Sequence, residues 1–431
     1  MSKNNSRDVT FDGSGYRVGR RGFLSGLGWT AATAALLPLA GNRFAFSQDS
    51  GATPPEFSLA ERDRRWDLLR NLMWEQELDC MIIPHAAGDS HLMYANWISN
   101  VRFGLGPGAI VFPQEGAPVI FGTLPAPGRW IEEVGPKWHD LGDQILEKVR
   151  ELGLADRRIG VIGTRSRVVG LNEFANEGLW NFASWNTVVQ GLPGADITDI
   201  TPQLAELFSV KGIEEIRAAE LAAEVGEELH AMMLEAARPG TSDLEFRSKI
   251  AEFLALQQAS ADVQSLEINP GRMANGDVIN SEYGINYGGG YAQVTLCIAV
   301  GEVSAETRLL EEAAQSCFQA GLASLKPGVT FGSVIENMES TVKAAGYWHG
   351  FPVLHCLRPM FMVGPVANFP PPFVPSRTLG ADSVIKEGMV FSFEPGARRG
   401  DRAQVKLGST GVVTGSGVRL FNRLGTRLQQ V

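Results

Sequence analysis

The sequence predicts two domains of different class: an α/β domain, then an α+β domain built from a repeated unit. Three observations carry this reading. Before residue 208, short apolar runs bounded by Gly and Pro, such as "DCMIIPH" and "GAIVFPQEGAPVIFG", alternate with stretches of helical periodicity. After it come two helix–(Arg/Lys)-Pro-Gly–helix units, their prolines Pro239 and Pro327 about 88 residues apart. The length of 431 residues also exceeds one ordinary core.

Leu59, Trp66, Leu69 and Met73 recur at helical spacing and predict a first helix. "DCMIIPH" and "GAIVFPQEGAPVIFG" read as buried strands, and "LGDQILEKVRELGLADRRIGVIG" as a helix followed by a strand. The α/β domain ends near "DITDITPQLAELFSVKG". "GIEEIRAAELAAEVGEELHAMMLEAARPG" is a long helix stopped at Arg238-Pro239-Gly240, and "TSDLEFRSKIAEFLALQQ" is a Thr/Ser-capped second one. "AETRLLEEAAQSCFQAGLASLKPG" and "VTFGSVIENMESTVKAAG" repeat that grammar. "SEYGINYGGGYAQVT", from Ser281 to Thr295, reads as a hairpin turning at Gly288, Gly289 and Gly290.

A net charge of −10 and the lack of a basic run argue against sequence-independent nucleic-acid binding. The hydrophobic fraction of 44% and charged fraction of 20% are those of a soluble globular chain. Cys80, Cys297, Cys317 and Cys356 show no CxxC spacing, which speaks against a zinc knuckle. Residues 1–47 resemble a bacterial twin-arginine export signal: Arg20 and Arg21 precede Phe23-Leu24 and a mildly apolar stretch, and Ala45-Phe46-Ser47 offers small residues for cleavage. The alternative is a membrane anchor, but the run from Gly26 to Ala40 is short and Gly-rich for a span. The expectation is an exported, periplasmic protein without stable membrane insertion.

The duplicated grammar resembles the creatinase, aminopeptidase P and methionine aminopeptidase superfamily, whose fold is the pita bread. "SVKGIEEIRAAELAAEVG" is similar to its first helix, "ARPGTSDLEF" and "LKPGVTFGSV" to its two PG turns, and "EGMVFSFEPG" to its glutamate-bearing strand. "LDCMIIP" and "HLMYANWISNVRF" resemble the creatinase/prolidase N-terminal domain. The resemblance implies residues 48–208 as an α/β N-terminal domain. Residues 209–431 become an α+β pita-bread domain, with duplicated helix-helix-strand units around a curved antiparallel sheet. It also implies a homodimer.

In the metallopeptidase members two Asp, one His and two Glu hold two metal ions. Carried over, these positions fall on Glu282, Gln293, His355, Glu394 and Gly408, the last in "VKLGSTGVVT" where the family has an "RIED"-like string. Two anionic ligands are lost, so the resemblance does not extend to a dinuclear centre. A histidine expected about seventeen residues before Glu282 falls near Ser265, and one expected seven after His355 falls on Met362. His349 is a displaced candidate for a third. Creatinase, a metal-free member, works by acid–base chemistry with His and Glu, and this chain lacks its catalytic His as well.

The candidate catalytic residues are therefore Glu394, His355 and Glu282, with Gln293, Arg358, His349 and Arg102 as candidate substrate contacts. Glu394, inside an apolar string, is expected to be buried with a raised pKa. Arg358 could clamp a carboxylate or pair with Glu394. Cys356 cannot easily cooperate with His355, because strand neighbours point to opposite faces. Phe369 and Phe373 in "VGPVANFPPPFVPSR" could wall the pocket with apolar surface.

The leading expectation is an exported, metal-independent hydrolase or lyase. It would cleave a C–N bond, or a C–O or C–C bond, in a small, apolar or aromatic molecule, with no cofactor. The alternatives are a non-catalytic small-molecule or peptide-binding protein, and a mononuclear metallohydrolase with one divalent ion on Glu282, His355 and Glu394.

Overall fold

The computed structural model describes residues 56–85, 94–101, 107–122, 130–135, 140–164, 180–349, 352–359, 381–400 and 403–431. The export-signal reading of residues 1–47, Arg102, Met362, Phe369 and Phe373 lie outside the described residues.

The first part of the chain runs α1 (Leu59–Glu75), β1 (Cys80–His85), α2 (Tyr94–Ser99), β2 (Gly108–Pro113), β3 (Val119–Gly122) and β4 (Glu133–Val134). It continues with α3 (Leu141–Glu151), β5 (Arg158–Val161), α4 (Phe182–Gly191), β6 (Asp196–Asp199) and α5 (Thr201–Ser209). The strands form one six-stranded mixed sheet in the order β4-β3-β2-β1-β5-β6. Strands β1 and β2 are buried on both faces, which explains their unbroken apolar runs. Helix α1 starts where the Ser58 hydroxyl accepts from the Glu61 N–H at 3.1 Å. It buries Trp66, Leu69 and Met73 as predicted, while Leu59 in its first turn is exposed.

The second part opens with α6 (Ile213–Ala236) and α7 (Asp243–Leu256), then β7 (Ser260–Glu267), β8 (Val278–Tyr287) and β9 (Gly290–Ala299). The grammar repeats in α8 (Ala305–Ser324) and α9 (Phe331–Ala344). Then follow β10 (Leu354–Cys356), β11 (Val390–Phe393), β12 (Gly396–Arg399), β13 (Ala403–Lys406), β14 (Ser409–Thr414), β15 (Gly417–Leu420) and β16 (Gln429–Gln430). Both PG turns place their glycine in the left-handed region, Gly240 at φ +93° and Gly328 at φ +90°. A Cβ costs roughly 1–2 kcal/mol in that region.

The curved layer, antiparallel except where β16 runs parallel to β9, consists of two four-stranded sheets, β16-β9-β8-β7 and β10-β11-β14-β15, with the ribbon β12-β13 beside them. Thr410 of β14 joins the two sheets, donating its hydroxyl to the Gln293 carbonyl at 2.8 Å and accepting from the Gln293 N–H at 3.1 Å. One face of β8 and β9 packs Ile279, Tyr283, Ile285, Val294, Leu296 and Ile298 under α6 and α7. Strand alternation therefore sends Glu282, Gly284, Asn286, Tyr291, Gln293 and Thr295 to the other face. That face carries the site. Among the described residues no helix is long and apolar enough to cross a membrane.

Helix α6 also carries His230, fully buried, with neither ring nitrogen hydrogen-bonded among the described residues. Burial alone pushes its pKa down to about 3. A group with a depressed folded pKa is held neutral, so the folded state loses stability as pH falls below the ordinary value of 6.5. His230→Leu is therefore expected to stabilise the chain by about 2 kcal/mol more at pH 5 than at pH 8. Urea unfolding at the two pH values measures it; an equal effect at both would show that the imidazole is solvated when charged.

Candidate acid–base site

Five side chains from five strands meet on the polar face: Glu282 (β8), Gln293 (β9), His355 (β10), Glu394 at the end of β11 and Lys406 (β13). All five are buried. Register places them. Glu282 pairs across to Thr295, and Gln293 to Gly284, so the acid and the amide lie diagonally on one face. The Gln293 Nε2 donates to Glu282 Oε1 at 2.6 Å and also to Glu394. The Lys406 ammonium donates to Glu282 Oε2 at 2.6 Å and to Ser265 Oγ at 3.1 Å. His355 Nε2 stands 3.3 Å from Glu394 Oε1, while its Nδ1 lies 2.8 Å from the Cys356 carbonyl. That carbonyl can only accept, so Nδ1 carries a proton and Nε2 faces the carboxylate.

The two carboxyls are held in different states. Burial pushes Glu282 up, the charge of Glu394 adds to it, and Lys406 only partly offsets them, leaving its pKa at about 7. Burial also raises Glu394, but the charge and hydrogen bond of His355 outweigh it and hold Glu394 below its ordinary value. His355 is its mirror image: burial lowers it, and Glu394 more than restores it, so its pKa is raised. The sequence predicts the raised pKa for Glu394; it belongs to Glu282. Both are buried glutamates, and the difference is which of them has the imidazole.

The remaining sequence candidates are placed as follows. Arg358 does not pair with Glu394: its guanidinium bonds Asn286 Oδ1 at 3.0 Å and the Asp262 carboxylate, and stacks 3.8 Å from the Tyr291 ring centroid. The described contact of His349 is with Glu339 of α9 at 3.2 Å. Cys356 packs into the apolar core on the side opposite His355, as strand alternation requires. Sequence reasoning missed Lys406 and Ser265. Lys406 is the basic residue in the "VKLGST" string, two positions before Gly408. Ser265 stands at the place of the expected histidine and holds the Lys406 ammonium instead.

The family's two metal ions do not fit these residues. Gln293 and Lys406 offer N–H donors to the carboxylate oxygens that cations would need. The position of the fifth ligand is sterically closed: a Cβ on Gly408 would lie 2.5 Å from Thr295 Oγ1 and 2.8 Å from the Phe393 carbonyl. Among the described residues no group of three or more His, Cys, Asp or Glu is placed to hold a metal ion.

Residues 214–421 match the profile of metallopeptidase family M24. This stretch is a domain of that family, within the creatinase and aminopeptidase P superfamily. The chain resembles an uncharacterized peptidase of Bacillus subtilis, 21% identical over 55% of this chain and 68% of the relative. It also resembles the Xaa-Pro dipeptidase of Lactobacillus helveticus, 25% identical over 53% of this chain and 64% of that one. The match thus spans about two thirds of these relatives' length. The fold is that of an X-Pro aminopeptidase from Thermotoga maritima: TM-score 0.67, 16% identity, covering 85% of this chain and 99% of that one. It is equally that of the dipeptidase PepE from Mycobacterium ulcerans: TM-score 0.66, 20% identity, covering 87% and 99%. At such identities the likeness establishes architecture alone. The similarity to these structures lies in the pita-bread frame.

Proposed function

We infer that the chain is a metal-independent hydrolase or lyase of the M24 domain type, cleaving a C–N bond of a small molecule by acid–base chemistry. One observation carries this: a single amide, Gln293, donates to both buried carboxyls, where the metallopeptidase pattern has a second anion. Paired carboxyls in unlike environments divide the acid and base roles between them. Glu394, beside the His355 imidazole, is the base. Glu282, proton-bearing near neutral pH, is the acid. Lys406 balances charge when Glu282 ionises.

The test is elemental analysis with kinetics. Protein dialysed mildly is expected to carry well under one divalent ion per chain, and turnover of a panel of small amides to be unchanged by EDTA. Two ions per chain, or activity lost with chelator and restored by metal, would overturn the reading. A binding protein derived from an M24 enzyme is the second reading, favoured by one fact: none of the five buried side chains is among those lining the cavity described below. The twin-arginine segment supports export to the periplasm, and the N-terminal resemblance supports a homodimer. Light scattering that returned a monomer mass at micromolar concentration would remove the dimer.

A further inference from the structure

A cavity of about 740 Å³ opens where α1 and α2 approach the tip of the β8–β9 hairpin. Phe57, Trp97 and Leu357 give it apolar walls. Its charged groups are mostly satisfied within the protein. Glu215 takes Arg64 at 2.6 Å, the Trp97 indole N–H at 2.6 Å and the Gly212 N–H at 2.9 Å. Arg65 bonds Glu61 at 2.7 Å and the Trp97 carbonyl at 2.9 Å. Arg358 is bonded to Asp262 and Asn286.

Two lining groups differ. Lys211 donates to two backbone carbonyls, of Phe208 at 2.6 Å and Arg358 at 3.0 Å, and no carboxylate pairs with it among the described residues. An ammonium has three donors and one full charge, so a donor remains, and the charge is offset only in part by Glu215 without a direct ion pair. Tyr291 is only 8% exposed, and its hydroxyl has no hydrogen-bond partner among the described residues. A buried polar group without a partner costs about 1–3 kcal/mol. Two such groups on one cavity with apolar walls describe a ligand site with few convergent polar contacts.

We propose that this cavity binds an organic monocarboxylate with an aromatic or branched apolar body, its carboxylate on Lys211 and a second polar atom on the Tyr291 hydroxyl. A carboxylate is the chemistry that answers a cation already using two donors on carbonyls; a second cation would be repelled, and a neutral ligand would leave the charge unpaired. Burial pushes the Lys211 pKa down, with Glu215 only partly opposing, as a cation lacking its counter-ion should behave. Tyr291 lies two residues before Gln293 on the same strand face, with its hydroxyl over Gly284, the cross-strand partner of Gln293. Binding here does not depend on the acid–base reading, because a non-catalytic protein would show it equally.

Isothermal titration calorimetry of the full chain with N-acetylphenylalanine and N-acetylphenylalaninamide tests this, since the two probes differ only in the charge of one end. The acid is expected to bind at least about tenfold tighter than the amide, the scale of one charge-assisted hydrogen bond. Lys211→Met is expected to bring the two within about twofold, and Lys211→Arg to keep most of the preference. Tyr291→Phe should weaken the acid and the amide alike, by about fivefold. Equal binding of acid and amide by the unaltered chain, no binding of the acid at millimolar concentration, or a preference that survives Lys211→Met would each overturn the proposal. The first two need no variant, so they decide even where Lys211→Met does not fold.

Discussion

Lys406→Met is expected to destabilise the protein by about 3–5 kcal/mol at pH 8, the usual cost of removing one partner from a buried ion pair, and by much less at pH 5. Methionine fills similar volume, so the loss is chiefly electrostatic. In the native site the ammonium sits 2.6 Å from Glu282, which already bears the charge of Glu394. Without Lys406, Glu282 must keep its proton. The sign follows from its raised pKa: a carboxyl raised on folding gives stability that is present below the ordinary value of 4.5 and lost as pH rises through about 7. Removing the cation that most directly opposes this shift moves the loss to higher pH and enlarges it. Urea unfolding of both proteins at pH 5 and pH 8 reads the difference. A small, pH-independent change would mean that Lys406 is not the charge that balances this site.

Much of the frame is legible in the sequence because it rests on local rules. Arg238-Pro239-Gly240 and Lys326-Pro327-Gly328 stop helices through proline's missing donor and glycine's left-handed backbone. Gly288 and Gly289 turn the hairpin with φ values of +55° and +76°. Opposite facing of His355 and Cys356 follows from strand period alone. The site was legible only where a resemblance supplied positions: Glu282, Gln293, His355 and Glu394 do converge. What that reasoning could not give is set by long-range register. Lys406 reaches Glu282 across 124 residues because the Lys406 N–H is held at 3.0 Å by the Asn280 side chain, aligning β13 with β8. The inverted order of the two glutamate pKa values has the same origin. Either glutamate in isolation reads as a buried acid, and only the neighbour brought by another strand decides which one keeps its proton.

Glu394→Gln is expected to lower kcat by roughly a hundredfold to ten-thousandfold, the usual contribution of a positioned general base, while changing ligand affinity by less than about tenfold. Glutamine preserves the shape and most of the bonding. Its carbonyl can accept from Gln293 Nε2 and its amide can donate to His355 Nε2, which burial then holds neutral once the carboxylate charge is gone. What disappears is the group able to take a proton, and with it an interaction made only in the transition state. The unaltered protein should show a bell-shaped pH profile. Activity rises as Glu394 ionises below the ordinary carboxylate range and falls as Glu282 loses its proton above about 7. In the glutamine variant the acid limb should vanish with the base. If the variant instead retains kcat, Glu394 is a structural partner of His355. If the unaltered protein turns over none of the small amides yet binds N-acetylphenylalanine, the M24 frame has been kept for binding alone, and Glu394→Gln should then alter stability without altering affinity.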